Sequence, residues 1–226
     1  MISVIIPTLD EAQDIDACLS ALAAQAGEFE VIVADGGSSD ATQAIARRRA
    51  RVVVAPRGRA AQMNAGAAAA GGGALLFLHA DARLGDGALA AVAAALATPD
   101  IVGGGFTKGY DGGGRALAAV GAAVTHVRSA WGGRFVGTQG IFVRSAVFAC
   151  LGGYREWPLL EDVEFSDRLR AAGRVVLLPV PMTVSARRYL ARGVWLQVLV
   201  NALVLGLFRL GVAPARLSGL YRGRKA

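Results

Sequence analysis

Three short apolar stretches of this chain are each followed by an acidic residue. Asp10 follows Val4-Ile5-Ile6-Pro7, Asp35 follows Val31-Ile32-Val33-Ala34, and Asp81 follows Leu75-Leu76-Phe77-Leu78. Open α/β sheets bind ligands at the carboxyl ends of their strands, so carboxylates at these positions outline one site. The pattern predicts an α/β fold with a ligand site at one edge of its sheet.

Strands and helices alternate in the first half of the chain, which predicts a Rossmann-like, mostly parallel sheet with helices on both faces. We expect strands near 3–7, 30–34, 52–54 and 74–79, and helices near 11–25, 39–50, 59–70 and 86–97. Later strands are expected at 101–106, 140–143 and 175–178, and helices at 117–128, 145–151 and 161–172. Because no linker is visible, residues 1–185 are expected to form one domain on one sheet, with halves of about 1–98 and 99–185.

The net charge of +7 comes from the C-terminal tail. From residue 186 to residue 226 there are eight basic residues and no acidic ones, whereas residues 1–185 carry 16 basic and 17 acidic side chains. A nearly neutral body argues against a nucleic-acid partner.

Residues 194–213 of this tail are rich in Leu and Val, and their polar residues Gln197, Asn201 and Arg209 share one side of a helical wheel. This predicts an amphipathic helix on an anionic membrane surface, as part of a basic tail over residues 186–226. Packing on the protein's own core, or in a homodimer, is the alternative. A membrane span is disfavoured because a central Asn and an Arg are costly in hydrocarbon.

Cysteine usage and the start of the chain bear on location. Cys18 and Cys150 are the only cysteines, without a CxxC motif, so neither a disulfide framework nor a zinc site is supported. The first apolar stretch begins at residue 2, which leaves no room for a secretory signal peptide. We therefore expect a peripheral protein on the cytoplasmic side of the cell membrane.

The known phosphate-binding loops do not fit this sequence. No GxxxxGK[ST] is present, and Gly71-Gly72-Gly73 precedes a strand rather than a helix, unlike the Rossmann fingerprint. The first two strands instead lead into Thr8-Leu9-Asp10-Glu11 and Asp35-Gly36-Gly37-Ser38-Ser39-Asp40. A carboxylate there can accept a hydrogen bond from a base N–H or a ribose hydroxyl. Simple helix capping is the alternative for Asp10 and Asp40.

These two loops, together with Leu78-His79-Ala80-Asp81 and Leu160-Glu161-Asp162, resemble family 2 glycosyltransferases of the GT-A fold over roughly residues 2–185. The segment Gly58-Arg59-Ala60-x-Gln62-Met63-Asn64-x-Gly66 and the hydrophobic C-terminal extension are similar to a small bacterial subgroup that includes carotenoid-acid glycosyltransferases. The resemblance implies a nucleotide-diphosphate sugar donor, Mg²⁺ or Mn²⁺, and inverting transfer to an acceptor hydroxyl or carboxyl. From the tail we expect a lipid or carotenoid-like acceptor.

The site residues divide by role. For the donor we expect Pro7, Thr8, Asp10, Glu11, Asp35, Gly36, Arg59, Gln62, Asn64 and Ala80. Asp81 is the expected metal ligand, because a cation can neutralise the pyrophosphate leaving group, and Asp162 is the expected catalytic base. On the acceptor side we expect Gln139, Tyr154, Trp157 and Glu161, local packing being the alternative for the two aromatic residues.

The sequence departs from the family at two positions. His79 stands where the family has the first of two metal-binding acids, and it is interpreted as a core histidine or as a second ligand, the former being favoured. Thr138 stands where relatives commonly have an acid before the glutamine. These departures keep a non-catalytic scaffold open as an alternative. A nucleotidyltransferase is a further alternative, although the loop after the first strand is acidic rather than basic.

Overall fold

The computed structural model describes residues 1–111, 135–186 and 193–222, with residues 194 and 222 described by their backbone alone. The predicted helix at 117–128 lies outside these residues. The strands are β1 (Ile2–Thr8), β2 (Phe29–Asp35), β3 (Arg51–Val54), β4 (Ala74–Phe77), β5 (Ala82–Leu84), β6 (Ile101–Asp111), β7 (Ile141–Arg144) and β8 (Arg174–Ser185). The helices are α1 (Ile15–Ala23), α2 (Thr42–Ala46), α3 (Arg59–Ala68), α4 (Ala88–Leu96), α5 (Ser145–Cys150), α6 (Glu161–Ala172), α7 (Val194–Arg209) and α8 (Pro214–Arg222), with a 3₁₀ turn at Gly137–Gln139.

All eight described strands form one sheet in the order β3-β2-β1-β4-β7-β6-β8-β5. The pairs β1–β2, β2–β3, β1–β4 and β6–β8 are parallel, and β7 runs antiparallel to both of its neighbours. The two predicted halves therefore share one mostly parallel sheet, as expected. The chain reverses its order of strand addition between β1 and β4, and this switch point is where open α/β sheets bind ligands.

Helices cover both faces of the sheet, because successive side chains of a buried strand point to opposite sides. In β1, Val4 and Ile6 join a core with α1, α2 and α4, whereas Ile5 joins a second core with α3, α5 and α6. Helix α3 lies close to β1: a Cβ added to Gly66 would come within 2.4 Å of Ile5 Cγ2. The hydrogen bond from Gln62 Nε2 to Thr8 O places the first turn of α3 beside the carboxyl end of β1.

Several strands and helices differ in length from the sequence prediction, and their hydrogen bonds explain the differences. Strands β6 and β8 run on through Gly109 and Pro181 because they pair with each other over most of their length, which does not depend on side-chain pattern. Helices α1 and α2 start late because the residues before them are hydrogen-bonded across the two loops. The short strand β5, which pairs with β8, was not predicted.

Helix α7 turns its polar side towards the body and leaves apolar side chains exposed. Gln197 is 1% exposed and donates to Asn201 Oδ1 at 2.8 Å, and Arg209 Nη1 pairs with Asp167 Oδ2 of α6 at 2.5 Å. In contrast, Leu199 is 65% exposed and Leu203 is 50% exposed. Within the described ranges, no helix is both long and apolar enough to cross a membrane.

Candidate active site

Asp35 closes β2 with a fully buried carboxylate. It accepts hydrogen bonds from Thr8 Oγ1 at 3.0 Å, Gly37 N at 3.0 Å, Ser38 N at 2.8 Å, Ser38 Oγ at 2.5 Å and Gln43 Nε2 at 2.7 Å. Burial raises the pKa of Asp35, but these hydrogen bonds, those from Ser38 above all, outweigh burial and hold its pKa below the usual value. Five donors occupy the lone pairs of both oxygens, so Asp35 shapes the loop in this structure, and its predicted contact with the nucleotide sugar stays a prediction.

Asp10 and Asp40 join the loops after β1 and β2. Asp10 Oδ1 accepts from Ser39 N at 2.8 Å, while Asp10 N donates to Ser38 Oγ at 2.9 Å. In return, Asp40 Oδ2 accepts from Ala12 N at 3.1 Å. Asp10 also takes a positive φ of 56°, a left-handed conformation that Asp tolerates better than most residues. The two predicted donor loops are thus one hydrogen-bonded unit.

Gln62 and Asn64 of α3 make contacts within the protein, and their predicted contacts with the nucleotide sugar stay predictions. Gln62 is buried, and its Nε2 donates to Thr8 O at 2.5 Å and Ala34 O at 3.0 Å, which ties together the ends of β1 and β2. Asn64 and Tyr154 exchange two hydrogen bonds, Nδ2 to Tyr154 O at 2.8 Å and Tyr154 N to Oδ1 at 2.9 Å. Both side chains position the loops around the site.

The remaining predicted donor residues contribute mainly backbone. Pro7, Thr8 and Ala80 are buried. Gly36 N donates to Thr8 O at 2.9 Å, and Glu11 N donates to Thr42 Oγ1 at 2.8 Å. They therefore fix the shape of the sheet edge at the switch point.

The predicted base Asp162, in the first turn of α6, lies beside residues of the switch point. Its Oδ2 accepts from Gly137 N at 2.6 Å. A Cβ added to Gly137 would lie 2.7 Å from His79 Nε2 and 3.3 Å from Asp162 Oδ2. A side chain at position 137 would therefore require the His79 ring to shift. That ring is half-buried and points to the site, not into the core as favoured from sequence.

Arg59 and Glu161 form a partly buried ion pair next to Asp162. Arg59 Nε lies 2.9 Å from Glu161 Oε1, the Arg59 side chain is 40% exposed and that of Glu161 is 2% exposed. Burial raises the pKa of Glu161 to about 7, against the opposing effect of Arg59 and with a further increase from Asp162. Burial lowers the pKa of Arg59, but Glu161, Asp162 and Asp81 outweigh it and leave that pKa raised.

Glu161 and the residue before it are both unusual. Its Oε2 is buried and has no hydrogen-bond partner among the described residues. The residue before it, Leu160, has a φ of 65°, which is rare for a side chain with a Cβ. Strained conformations of this kind tend to lie at functional sites, and this one sets the direction in which α6 enters the site.

Asp81 follows β4 at the switch point, half-buried and within electrostatic reach of Arg59. The described residues include no group of three or more His, Cys, Asp or Glu side chains that could hold a metal ion. A single carboxylate still fits Mg²⁺ or Mn²⁺ in such a site, because these ions take one or two carboxylates together with substrate phosphates and water.

The residues predicted for the acceptor side occupy different environments. Tyr154 is 3% exposed, and its ring lies 4.4 Å from the Phe165 ring and 4.9 Å from the Phe77 ring, centroid to centroid. Gln139 is fully buried and accepts from Val136 N at 3.2 Å. Neither side chain can touch an acceptor in this structure, because each is buried in the core. Both predictions of an acceptor contact are therefore corrected. Trp157 is half-buried and packs edge-on against Phe208 of α7 at 5.9 Å.

Three residues that organise the site were missed from the sequence. Ser38, Gln43 and Gly137 were not among the predicted site residues. The contacts of Gln43 with Asp35 span eight positions and those of Gly137 with Asp162 span 25. The sequence pointed to that turn only through Thr138 and Gln139. The donor of Gly137 is its backbone N–H, which nearly every residue type has, so the sequence does not reveal it.

Known proteins resemble this chain in both sequence and fold. A model of glycosyl transferase family 2 matches residues 3–140. The PGL/p-HBAD biosynthesis glycosyltransferase of Mycobacterium bovis is 33% identical over 189 residues, which cover 74% of this chain and 69% of that protein.

Two solved structures illustrate the shared fold. The mannosyltransferase PcManGT from Pyrobaculum calidifontis, in complex with GDP-Man and Mn²⁺, has a TM-score of 0.69 and 21% identity, covering 98% of this chain and 68% of that chain. TarS 1–349 from S. aureus, in complex with UDP-GlcNAc, has a TM-score of 0.65 and 19% identity, covering 81% of this chain. This chain spans 58% of that TarS chain.

A mostly parallel sheet with acidic loops at its switch point and an acid from the second half beside them defines a GT-A fold. With the family match over more than half of its length, the chain belongs to glycosyl transferase family 2. The narrower resemblance to carotenoid-acid glycosyltransferases stays a prediction.

Proposed function

We propose that this protein moves a sugar from a nucleotide-diphosphate sugar to an acceptor hydroxyl or carboxyl, with inversion and with Asp162 as the base. The observation that carries the proposal is the position of Asp162. The N–H of Gly137 fixes its carboxylate at 2.6 Å, and the His79 ring and the Arg59 guanidinium lie beside it. An acid from the second half of the chain thus meets the donor half at the switch point.

The chemistry needs a single in-line displacement. The acceptor oxygen forms a bond to the anomeric carbon while its proton passes to Asp162, and the bond from that carbon to the diphosphate breaks with its electron pair leaving on the diphosphate. Arg59 is suited to stabilise that developing charge, because Glu161 holds its Nε and the side chain remains 40% exposed. Glu161 therefore acts as a positioning residue in this scheme.

A divalent cation is part of the proposal, with Asp81 as its protein ligand. When bound, the cation would neutralise charge on the leaving diphosphate. Mn²⁺ accompanies GDP-Man in the PcManGT structure, which supports the proposal for this chain only by likeness. Asp81→Asn should lower the affinity for the donor in Mn²⁺ but hardly change it in EDTA; an equal loss in both would contradict the assignment.

Asp162→Asn tests the catalytic assignment. The amide oxygen can still accept from Gly137 N, so we expect nucleotide-sugar binding within about twofold of wild type and transfer reduced by about 10²- to 10⁴-fold. Asp100→Asn, at an exposed ion pair with Arg174, is the matched control. If Asp162→Asn loses donor binding as well, the residue is structural. If the wild type binds donors but neither hydrolyses nor transfers them, the protein is a non-catalytic scaffold.

We further propose that the exposed side of α7 lies on an anionic membrane, at the cytoplasmic side of the cell membrane. Trp195, Leu196, Leu199 and Leu203 form an apolar stripe that is 50 to 76% exposed. The basic tail adds electrostatic attraction to anionic lipids. A relative named for PGL/p-HBAD biosynthesis is consistent with a lipid-type acceptor but does not assign one here.

Sedimentation with phosphatidylglycerol vesicles tests the membrane proposal. Leu199→Ser/Leu203→Ser should weaken binding about 100-fold, since each leucine that leaves the apolar phase costs roughly a tenfold factor or more. Val54→Ser, which is exposed at 72% on β3 far from the tail in sequence, is the control. Undiminished sedimentation of the double variant would refute the membrane assignment. Concentration-dependent dimers that the double variant abolishes would refute it in favour of a homodimer contact.

A further inference from the structure

A cavity of about 430 Å³ lies between α7 and the second half of the domain. Its body side is lined by Phe135, Val136 and Val163, and its helix side by Ala202, Leu205 and Gly206. Its volume falls within the range of small-molecule sites, and none of these six side chains is polar. The cavity therefore suits an apolar ligand.

The cavity adjoins the proposed base. Val136 and Val163 are the chain neighbours of Gly137 and Asp162, which are joined by the hydrogen bond of 2.6 Å between Gly137 N and Asp162 Oδ2. The wall of the cavity is thus one residue along the chain from each partner of that hydrogen bond, and one of those partners is the carboxylate that takes the acceptor proton. This position next to the proposed base distinguishes the cavity from a packing defect elsewhere in the core.

Arg209 is the charged residue among those that line the cavity, and it is already paired. Its Nη1 lies 2.5 Å from Asp167 Oδ2 of α6. A hydrophilic sugar acceptor would need hydrogen-bonding groups on the cavity walls, and the other described lining residues offer none from their side chains. The lining thus favours hydrocarbon over carbohydrate.

The cavity opens beside the exposed stripe, on the same side of α7. Ala202, Gly206 and Arg209 line the cavity but are themselves exposed, and Leu199 and Leu203 lie one helical turn before Ala202 and Gly206. If the exposed stripe touches lipid, the open side of the cavity lies at the membrane surface. An acceptor that partitions into the membrane would then have a short path to the site.

From the apolar walls, the position and the adjoining exposed stripe we infer that the cavity is the acceptor subsite, and that it takes the hydrocarbon part of an apolar alcohol or acid whose oxygen is presented to Asp162. The inference rests on the proposed glycosyl transfer. It specifies the acceptor as an amphiphile with an apolar body, in contrast to a soluble sugar.

Gly206→Leu tests the inference by filling the cavity. A Cβ at Gly206 meets no atom within 4 Å, so the larger side chain has room, and Leu is favoured over Gly in a helix. Gly219→Leu in α8, where an added Cβ also meets nothing, is the matched control. The probes are 1-butanol, 1-hexanol and 1-octanol, measured for binding by calorimetry and for transfer as acceptors.

In the wild type and in Gly219→Leu, affinity should rise about fourfold per methylene, or about 200-fold from butanol to octanol. In Gly206→Leu this ratio should fall below about tenfold, because four added carbons occupy the space. Leu203→Ser on the exposed stripe should leave the ratio unchanged. An unchanged ratio in Gly206→Leu, its loss in Leu203→Ser, or no dependence on chain length in the wild type would each overturn the inference.

Hydrolysis of the nucleotide sugar, measured without acceptor, distinguishes a failure of the proposed function from a failure of the acceptor subsite. All three variants should keep the wild-type rate of hydrolysis, because a Cβ added at Gly206 or Gly219 meets no atom within 4 Å and Leu203 is exposed. A wild type that lacks donor hydrolysis and transfer would count against the proposed function, whereas the alkanol series would still report on the cavity. Normal hydrolysis with a flat alkanol series would refute the acceptor subsite alone.

Discussion

Replacement of Glu161 by Gln should change how the stability of the protein depends on pH. The side chain is 2% exposed, one of its oxygens lacks a partner among the described residues, and burial raises its pKa from 4.5 to about 7. Between these two pKa values the native state binds a proton that the unfolded chain has released. The free energy of unfolding therefore falls as pH rises from about 4.5 to about 7, and the loss is complete above that range.

The magnitude follows from the same shift. At 1.36 kcal/mol per pKa unit, burial of the ionised carboxylate costs about 3 kcal/mol at pH 8, of which about 2 to 3 kcal/mol develops between pH 5 and pH 8. A glutamine does not titrate, so it removes this dependence while it can still accept a hydrogen bond from Arg59. The stability of Glu161→Gln minus that of the wild type should grow by that amount over this pH interval.

Urea unfolding at pH 5 and pH 8 gives the four free energies that are needed, and the difference between them removes the contributions that both proteins share. Glu156→Gln, at an exposed position in the preceding loop, is the control for the change of charge. A difference between variant and wild type that stays constant from pH 5 to pH 8 would refute the reasoning. It would mean that Arg59 keeps Glu161 ionised in spite of its burial.

Three further predictions concern the site and the core. Gly137→Ala should lower transfer more than donor binding, because the new methyl group would lie 2.7 Å from His79 Nε2 and force that ring to shift beside Asp162; comparison of donor affinity with turnover measures this. Asp35→Asn should lower the free energy of unfolding by about 2 to 3 kcal/mol, since an amide cannot accept all of the hydrogen bonds that the carboxylate accepts; urea titration tests it, and an unchanged midpoint would contradict it. Burial raises the pKa of the Cys18 thiol to about 12, so iodoacetamide at pH 8 should modify the exposed Cys150 and leave Cys18 intact, as mass spectrometry of the native protein would reveal.

The fold could be predicted from the sequence because the patterns that identify its strands and its ligand edge lie within short segments. Runs such as Val4-Ile5-Ile6 identify buried strands, and a carboxylate at the end of each strand identifies the ligand edge. The two halves were expected to share a sheet, and they do. The extent of β6 and β8 was missed because strand pairing is a property of two segments that are distant in sequence.

Individual roles within the site were harder to predict, since each depends on burial. Tyr154 looked like an aromatic platform in a glycine-rich loop, but it lies among the rings of Phe77, Phe148 and Phe165. Gln62 looked like a ligand-binding residue, but it bridges two strand ends. A polar side chain near a site can bind a ligand or hold the loop that does, and residue type does not distinguish these roles.

The orientation of Asp162 depends on a main-chain amide, that of Gly137. An alanine scan leaves that donor in place, so it would report on the space at position 137 and not on the hydrogen bond. Exchange of the amide for an ester by chemical synthesis would remove the N–H and keep the shape. Anyone who wishes to test how this hydrogen bond orients the carboxylate would therefore edit the backbone.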